Sequence, residues 1–202
     1  MTADHKPALS PSFVDRVKSI LLKPNAEWPI IAAEPATVKG LFTGYAMILA
    51  AIGPIAGLIG GLAFGSPSGL GMMGLIVGAI VGYVLTLVGT FILGFVIDLL
   101  ATSFGAQRNL EQSMKVAVYA GTPVWILGIL NLIPVLAMLA IIGVIYSFYL
   151  IFLGIKAVKT PQEDKAVLYA VVSIVVALIV NLFVSLIGGL IVAPFAIASA
   201  LI

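Results

Sequence analysis

Three stretches of this chain carry no Asp, Glu, Lys or Arg: Gly40 to Ile97, Val116 to Ile155 and Ala166 to Ile202, which are 58, 40 and 37 residues long. A helix needs about 20 apolar residues to cross the roughly 30 Å hydrocarbon layer of a bilayer. The first run has room for two crossings and the second for two short ones. The third holds one, with or without a half-helix after it. Composition excludes a water-soluble globule. Only 9% of residues are charged, 62% are hydrophobic and the mean hydropathy is +1.25, whereas a soluble domain carries about 25% charged residues. The absence of Cys excludes a disulfide scaffold. The runs are continuously apolar and do not alternate, which disfavours a β-barrel. The expected fold is all-α: a polytopic transmembrane bundle of five spans.

Breaker residues place the boundaries. The spans are expected at about 41–64, 72–101, 115–130, 135–155 and 166–187, behind an N-terminal segment of residues 1–40. Gly65-Ser66-Pro67-Ser68-Gly69 is a turn, and Pro134 suits the first turn of the fourth helix. Pro54 should kink the first span by removing a backbone bond. Gly188-Gly189 and Pro194 disturb the end of the fifth, and the course of residues 188–202 stays open.

With five spans, all ten Lys and Arg fall on the side of the N-terminus. This is a complete positive-inside asymmetry. It predicts a cytoplasmic N-terminus, a periplasmic or extracellular C-terminus and residence in the cell's inner membrane. A net charge of +2 is too small to suggest nucleic acid. The first 40 residues are too polar for a cleavable signal peptide, so the first span must target the chain.

Met1–Leu9 reads as a disordered tail. After it, Ser12 can cap a helix with Asp15 three residues on. Phe13, Val14, Val17, Ile20 and Leu21 share one helical face, while Arg16, Lys18 and Lys23 fall largely on the other. The spacing predicts an amphipathic helix over 13–23. It suits the cytoplasmic leaflet, with Phe13, Arg16, Lys18 and Lys23 at the membrane interface. Packing on the protein's own cytoplasmic face is the other reading. Trp28 is expected as an interface anchor.

Lys23-Pro24, Glu27-Trp28, Ile31 and Glu34-Pro35 stand ahead of an apolar span. Asp98-Leu99-Leu100-Ala101 and Phe104-Gly105 precede a polar loop. Val118-Tyr119-Ala120, Pro123-Val124-Trp125, Tyr146-Ser147, Tyr149-Leu150 and Gly154 follow, with Tyr169 near the start of the last span. Over about residues 13–187 this order resembles the bacterial branch of the Yip (Ypt/Rab-interacting protein) domain family. The resemblance implies five spans and a cytoplasmic N-terminus. Eukaryotic relatives act in vesicle traffic through small Rab-type GTPases and one another. The short N-terminal segment here shows no GTPase-binding surface and lacks the eukaryotic acidic-aromatic motif, so GTPase binding is not carried over.

Glycine supplies the strongest packing signal. Gly53, Gly57, Gly61 and Gly65 lie four apart on the first span, and Gly74, Gly78 and Gly82 repeat the spacing on the second. Such stripes let backbones approach closely. They predict an antiparallel hairpin packed stripe to stripe, more sensitive to leucine at Gly57 or Gly78 than at Gly128. Asp98 is the one acid inside an apolar run, with Arg108, Lys115 and the Tyr119 hydroxyl as its nearest sequence partners. It reads as a helix-end carboxylate paired with Arg108, or as a proton- or cation-responsive group in a cavity. Asn131 reads as a cap. Asn181 reads as an interhelical hydrogen bonder or a pore-lining amide.

Enzyme signals are missing. His5 is the sole His, and no metal-ligand pair, P-loop or paired carboxylates occur. No cofactor or metal is expected. The expected function is a non-enzymatic membrane-organising or trafficking-type adaptor. Its partners would be the lipid bilayer and other membrane proteins or a second copy. A small oligomeric channel or transporter is the alternative.

Overall fold

The computed structural model describes residues 12–66 and 69–200. The Met1–Leu9 tail and the Pro67-Ser68 portion of the first turn lie outside them. Two short helices, α1 (Phe13–Leu22) and α2 (Pro24–Ala33), precede five long ones. These are α3 (Val38–Phe64), α4 (Met72–Phe104), α5 (Leu110–Leu132), α6 (Pro134–Lys159) and α7 (Glu163–Ala200). All five are long and apolar enough to cross a membrane, and no strand occurs among the described residues. The chain is a multi-pass, all-helical membrane bundle. The central helix α5 is the most enclosed of the five.

Breaks in the helices follow the breaker residues. In α3 the backbone turns at Ala51, just before Pro54, whose ring excludes a bond to the carbonyl one turn back. In α5 it turns at Gly121, ahead of Pro123. Between α5 and α6 only Ile133 is extended, and Pro134 opens α6. Gly128–Leu132 and Pro134–Ala140 are wound as 3₁₀ helix on either side of it. That winding rises about 2.0 Å per residue instead of 1.5 Å. The 40-residue uncharged run is thereby lengthened toward two full crossings.

The Gly188-Gly189 pair and Pro194 do not end the last helix, which runs unbroken for 38 residues. At 1.5 Å per residue it is about 57 Å long, so it must tilt or project beyond the hydrocarbon layer. Contacts with the start of α4 hold its end. Phe195 lies against Gly74, and the Ser199 hydroxyl accepts from the Gly71 amide at 3.2 Å, with its single proton shared between the Phe195 carbonyl of its own helix at 2.6 Å and the Gly69 carbonyl at 3.0 Å. Ser199→Ala should free the last turns of α7 without unfolding the bundle. Hydrogen exchange confined to residues 190–200 checks this.

The two glycine stripes do not face each other, which corrects the zipper expectation. Gly53, Gly57 and Gly60 on α3 lie against Gly128, Asn131 and Leu132 of α5. Gly74, Gly78 and Gly89 on α4 lie against Phe195, Val192, Val184 and Val180 of α7. Within the expected hairpin, Gly61 meets the Leu75 side chain, whereas Gly65 and Gly82 meet nothing. Gly65 serves instead as a left-handed residue (φ 82°) where α3 ends. The pair of helices does form, but each stripe is turned to a different neighbour. The tightest approaches to the backbone of another helix are at Gly60 and Gly128, not at Gly57 or Gly78.

The dense core lies at the end of the bundle that carries α1 and α2. Ile20, Trp28, Ile31, Ile97, Leu150, Ile155 and Tyr169 are all buried there.

Candidate functional site, a buried ion-pair platform

Helix α1 begins as its sequence dictates. The Asp15 amide donates to the Ser12 hydroxyl at 3.2 Å, and that hydroxyl donates to the Asp15 carboxylate at 2.6 Å. Pro24, already carrying the fixed φ of a first turn, then opens α2. The hairpin of α1 and α2 folds onto the bundle, so the packing reading of the amphipathic helix holds. Ile20 is fully buried, and Phe13 lies 5.4 Å from the Tyr45 ring. The Tyr146 hydroxyl donates to the Leu21 carbonyl at 2.7 Å.

Arg16 corrects the interface assignment. It is 5% exposed, and its guanidinium bonds to the carboxylates of Glu27 and Glu34 while lying over the Tyr119 ring at 5.8 Å. A desolvated guanidinium is tolerable only with such complete pairing. Lys18 and Lys23 are exposed, as a headgroup-facing role requires. Trp28 is no surface anchor: it is 1% exposed, with its ring edge-on to Tyr119 at 6.5 Å. It fits because Gly154 has no side chain; a Cβ there would stand 2.7 Å from the indole.

Lys115, a candidate partner of Asp98, points elsewhere. Its ammonium donates to the carbonyls of Ile31 (2.8 Å), Ala32 (3.3 Å) and Glu34 (2.5 Å). These lie at the C-terminal end of α2, where free carbonyls and the helix dipole favour a cation. Tyr119 does not reach Asp98 either. It sits beneath Arg16 and edge-on to Tyr45 at 4.8 Å, and Tyr45 in turn shares a 2.9 Å bond with the Thr122 hydroxyl.

Asp98 lies at a second buried node. The expected Arg108 pair forms, Nε to Oδ2 at 3.1 Å. The other oxygen accepts from the Asn109 amide at 2.6 Å and the Ser113 hydroxyl at 3.2 Å, with Lys159 Nζ at 3.5 Å. Lys159 also donates to the Gln107 carbonyl at 2.9 Å. The polar loop is thus tied to the ends of α4, α5 and α6. Gly105 turns this loop at φ 72°, and Thr160 ends the π-wound stretch Ile155–Lys159 that carries the lysine inward. Next to this node Phe104 stacks on Tyr169 at 4.8 Å, and the Tyr169 hydroxyl donates to the Ile97 carbonyl at 2.5 Å.

Asn181 belongs to neither node. It makes no hydrogen bond among the described residues; it is exposed and lines a cavity between the helices. Asn131, expected as a cap, makes none either. Among the described residues no group of three His, Asp or Glu could hold a metal ion.

The landmarks scattered along the sequence therefore meet at one end of the fold. Glu27, Trp28, Glu34, Asp98, Phe104, Tyr119, Tyr146, Gly154 and Tyr169 all contribute to the two nodes or the aromatic packing around them. The Yip1 domain model matches residues 18–185. The chain belongs to the Yip1 domain family. The match spans α2 to α6 entirely, together with half of α1 and most of α7, so it takes in Glu27, Glu34, Lys115 and the whole Asp98 node, while Arg16 lies just ahead of it. No curated protein and no solved structure matches the chain.

Proposed function

We propose that this Yip1-domain protein is a non-enzymatic membrane adaptor that presents a rigid platform on the cytoplasmic side of the inner membrane. The carrying observation is the use of buried charge to fix α1 and α2. Arg16, Glu27, Glu34 and Lys115 hold a segment that would otherwise be a mobile arm. What the platform leaves exposed is suited to docking: Lys18 and Lys23 beside Val14 (54% exposed), Leu22 (77%) and Ile30 (49%). Apolar side chains flanked by lysines favour a bilayer surface with anionic headgroups, or a membrane-bound partner seated there. The positive-inside distribution supports the cytoplasmic assignment. The dense core beneath the platform opposes an open conduit. No catalytic constellation accompanies the buried charges among the described residues, and Asp98 serves as the anchor of the loop at residues 105–109.

Three measurements test this reading. The chain has no native Cys, so single cysteines report sidedness without background. Ser68→Cys should react with an impermeant thiol reagent added outside intact cells, and Gln162→Cys should not. The full chain in liposomes should conduct no ions or small solutes above empty vesicles. Capture through a crosslinker at Leu22 should retain a membrane protein or a second copy. Lys18→Glu/Lys23→Glu should lower that yield at least threefold with Tm unchanged. Flux abolished by Asp98→Asn would overturn the adaptor in favour of the transporter.

A further inference from the structure

The half of the bundle away from the platform is loosely filled. A central cavity of about 620 Å³ lies there, walled by residues from all five membrane-length helices. Its volume falls within the roughly 300–1,000 Å³ of small-molecule sites. No charged residue lines it, and the walls are mainly Gly, Ala, Leu and Val. Toward the platform it closes against Ala120 and Ile151 of the dense core. Uncommitted polar groups line it. Ser147 is 8% exposed and its buried hydroxyl has no partner. The amides of Asn131 and Asn181 make no hydrogen bond among the described residues. By contrast, the Thr90 hydroxyl is satisfied by the Thr86 carbonyl at 2.8 Å. At bilayer depth water is scarce, and an unpaired polar group is costly.

We propose that this cavity binds an uncharged lipid that carries a carbonyl or hydroxyl group on a long apolar chain. The apolar walls take the chain. Asn181 offers both a donor and an acceptor to the polar group. An ionised headgroup is excluded, because it would meet no counter-charge inside. The closed end makes this a site of residence and not a passage. Because all five helices of one chain form the walls, a single copy suffices to build it.

Trp125 lies in the wall, whereas Trp28 lies in the core beneath the platform, so tryptophan emission reports occupancy. The probe is 9,10-dibromostearyl alcohol, titrated into the full chain in phosphatidylcholine bilayers. Phosphatidylcholine brominated at the same carbons is the control. The alcohol should quench saturably, at mole fractions where the brominated phospholipid quenches only in proportion to its amount. Trp125→Phe should remove the saturable component. Asn181→Leu should raise half-saturation about threefold, from the roughly 0.6 kcal/mol typical of a hydrogen bond between membrane helices converted at 1.4 kcal/mol per tenfold. Gly82→Leu should weaken binding at least tenfold. A Cβ at Gly82 meets nothing within 4 Å and Gly82 lines the cavity, so the added side chain is expected to occupy the cavity with Tm unchanged. Quenching that does not saturate, that the brominated phospholipid matches, or that survives Gly82→Leu would overturn the proposal. A disulfide between copies through Gly82→Cys would also overturn it, by showing a second chain in the cavity.

Discussion

Arg16→Ala should release α1 and α2 from the bundle while leaving the five long helices inserted. The substitution strands Glu27, whose side chain is 8% exposed, and removes the partner of Glu34, at 30%. Breaking a buried ion pair from one side costs about 3–5 kcal/mol, because the remaining charge stays desolvated. Glu34 can turn outward, so most of the penalty comes from Glu27. The Tyr119 ring loses its cation as well. The expected result is a Tm lower by several degrees in detergent. Rapid tryptic cleavage after Lys18, exposed already but then carried on a loosened segment, should accompany it, with the rest of the chain protected. Arg16→Met combined with Glu27→Leu and Glu34→Gln should recover most of the stability, since an apolar replacement of a whole buried network is often neutral or better. If the single variant keeps wild-type Tm and protease resistance, the ion pairs do not hold the platform.

What the sequence could disclose depended on whether a feature was local. Span number, the break near Pro54 and the turn at Pro134 follow from charge-free length and breaker residues. The Asp98–Arg108 pair was legible because both residues flank one short loop. Lys159 was not: α6 packing and the π-wound end of that helix bring it to Asp98, and periodicity carries no trace of either. Arg16 stands off the apolar face of α1, which reads identically whether the neighbour is a headgroup or a glutamate on the next helix. Trp28 poses the same ambiguity, and Gly154, far along the chain, settles it by leaving room for the indole. Glycine spacing identifies a face that can approach a backbone, but it does not say which backbone. Consecutive helices were the natural guess, and α5 and α7 took those faces instead. The two readings of Asn181 stayed open for a related reason: whether a mid-span amide finds a partner depends on how far apart the helices stand at its depth.

Gly128→Ala should damage the fold more than leucine does at Gly57 or Gly78, the reverse of what the stripes alone predict. A Cβ at Gly128 would lie 2.8 Å from the Gly53 Cα and 3.0 Å from its nitrogen. Both are backbone atoms and cannot rotate away. Relief requires α3 and α5 to separate, which disturbs the neighbouring contact of Gly60 with the Asn131 and Leu132 carbonyls, where a Cβ would stand 2.6 and 2.5 Å away. Overpacking of this kind costs about 1–3 kcal/mol even for a few added atoms, and close backbone contact is a main source of helix adhesion in lipid. The contact is not symmetric. A Cβ on Gly53 would meet the Gly128 Cα at 3.6 Å, an ordinary van der Waals distance, so Gly53→Ala should cost little. At Gly57 and Gly78 the nearest atoms are 3.8 Å away and belong to side chains, so those sites can adjust. Thermal unfolding in detergent should therefore rank Tm losses as Gly128→Ala largest, then Gly57→Leu and Gly78→Leu, with Gly53→Ala smallest. A Gly128→Ala protein as stable as the Gly53→Ala protein would show that α3 and α5 do not cross at these two glycines.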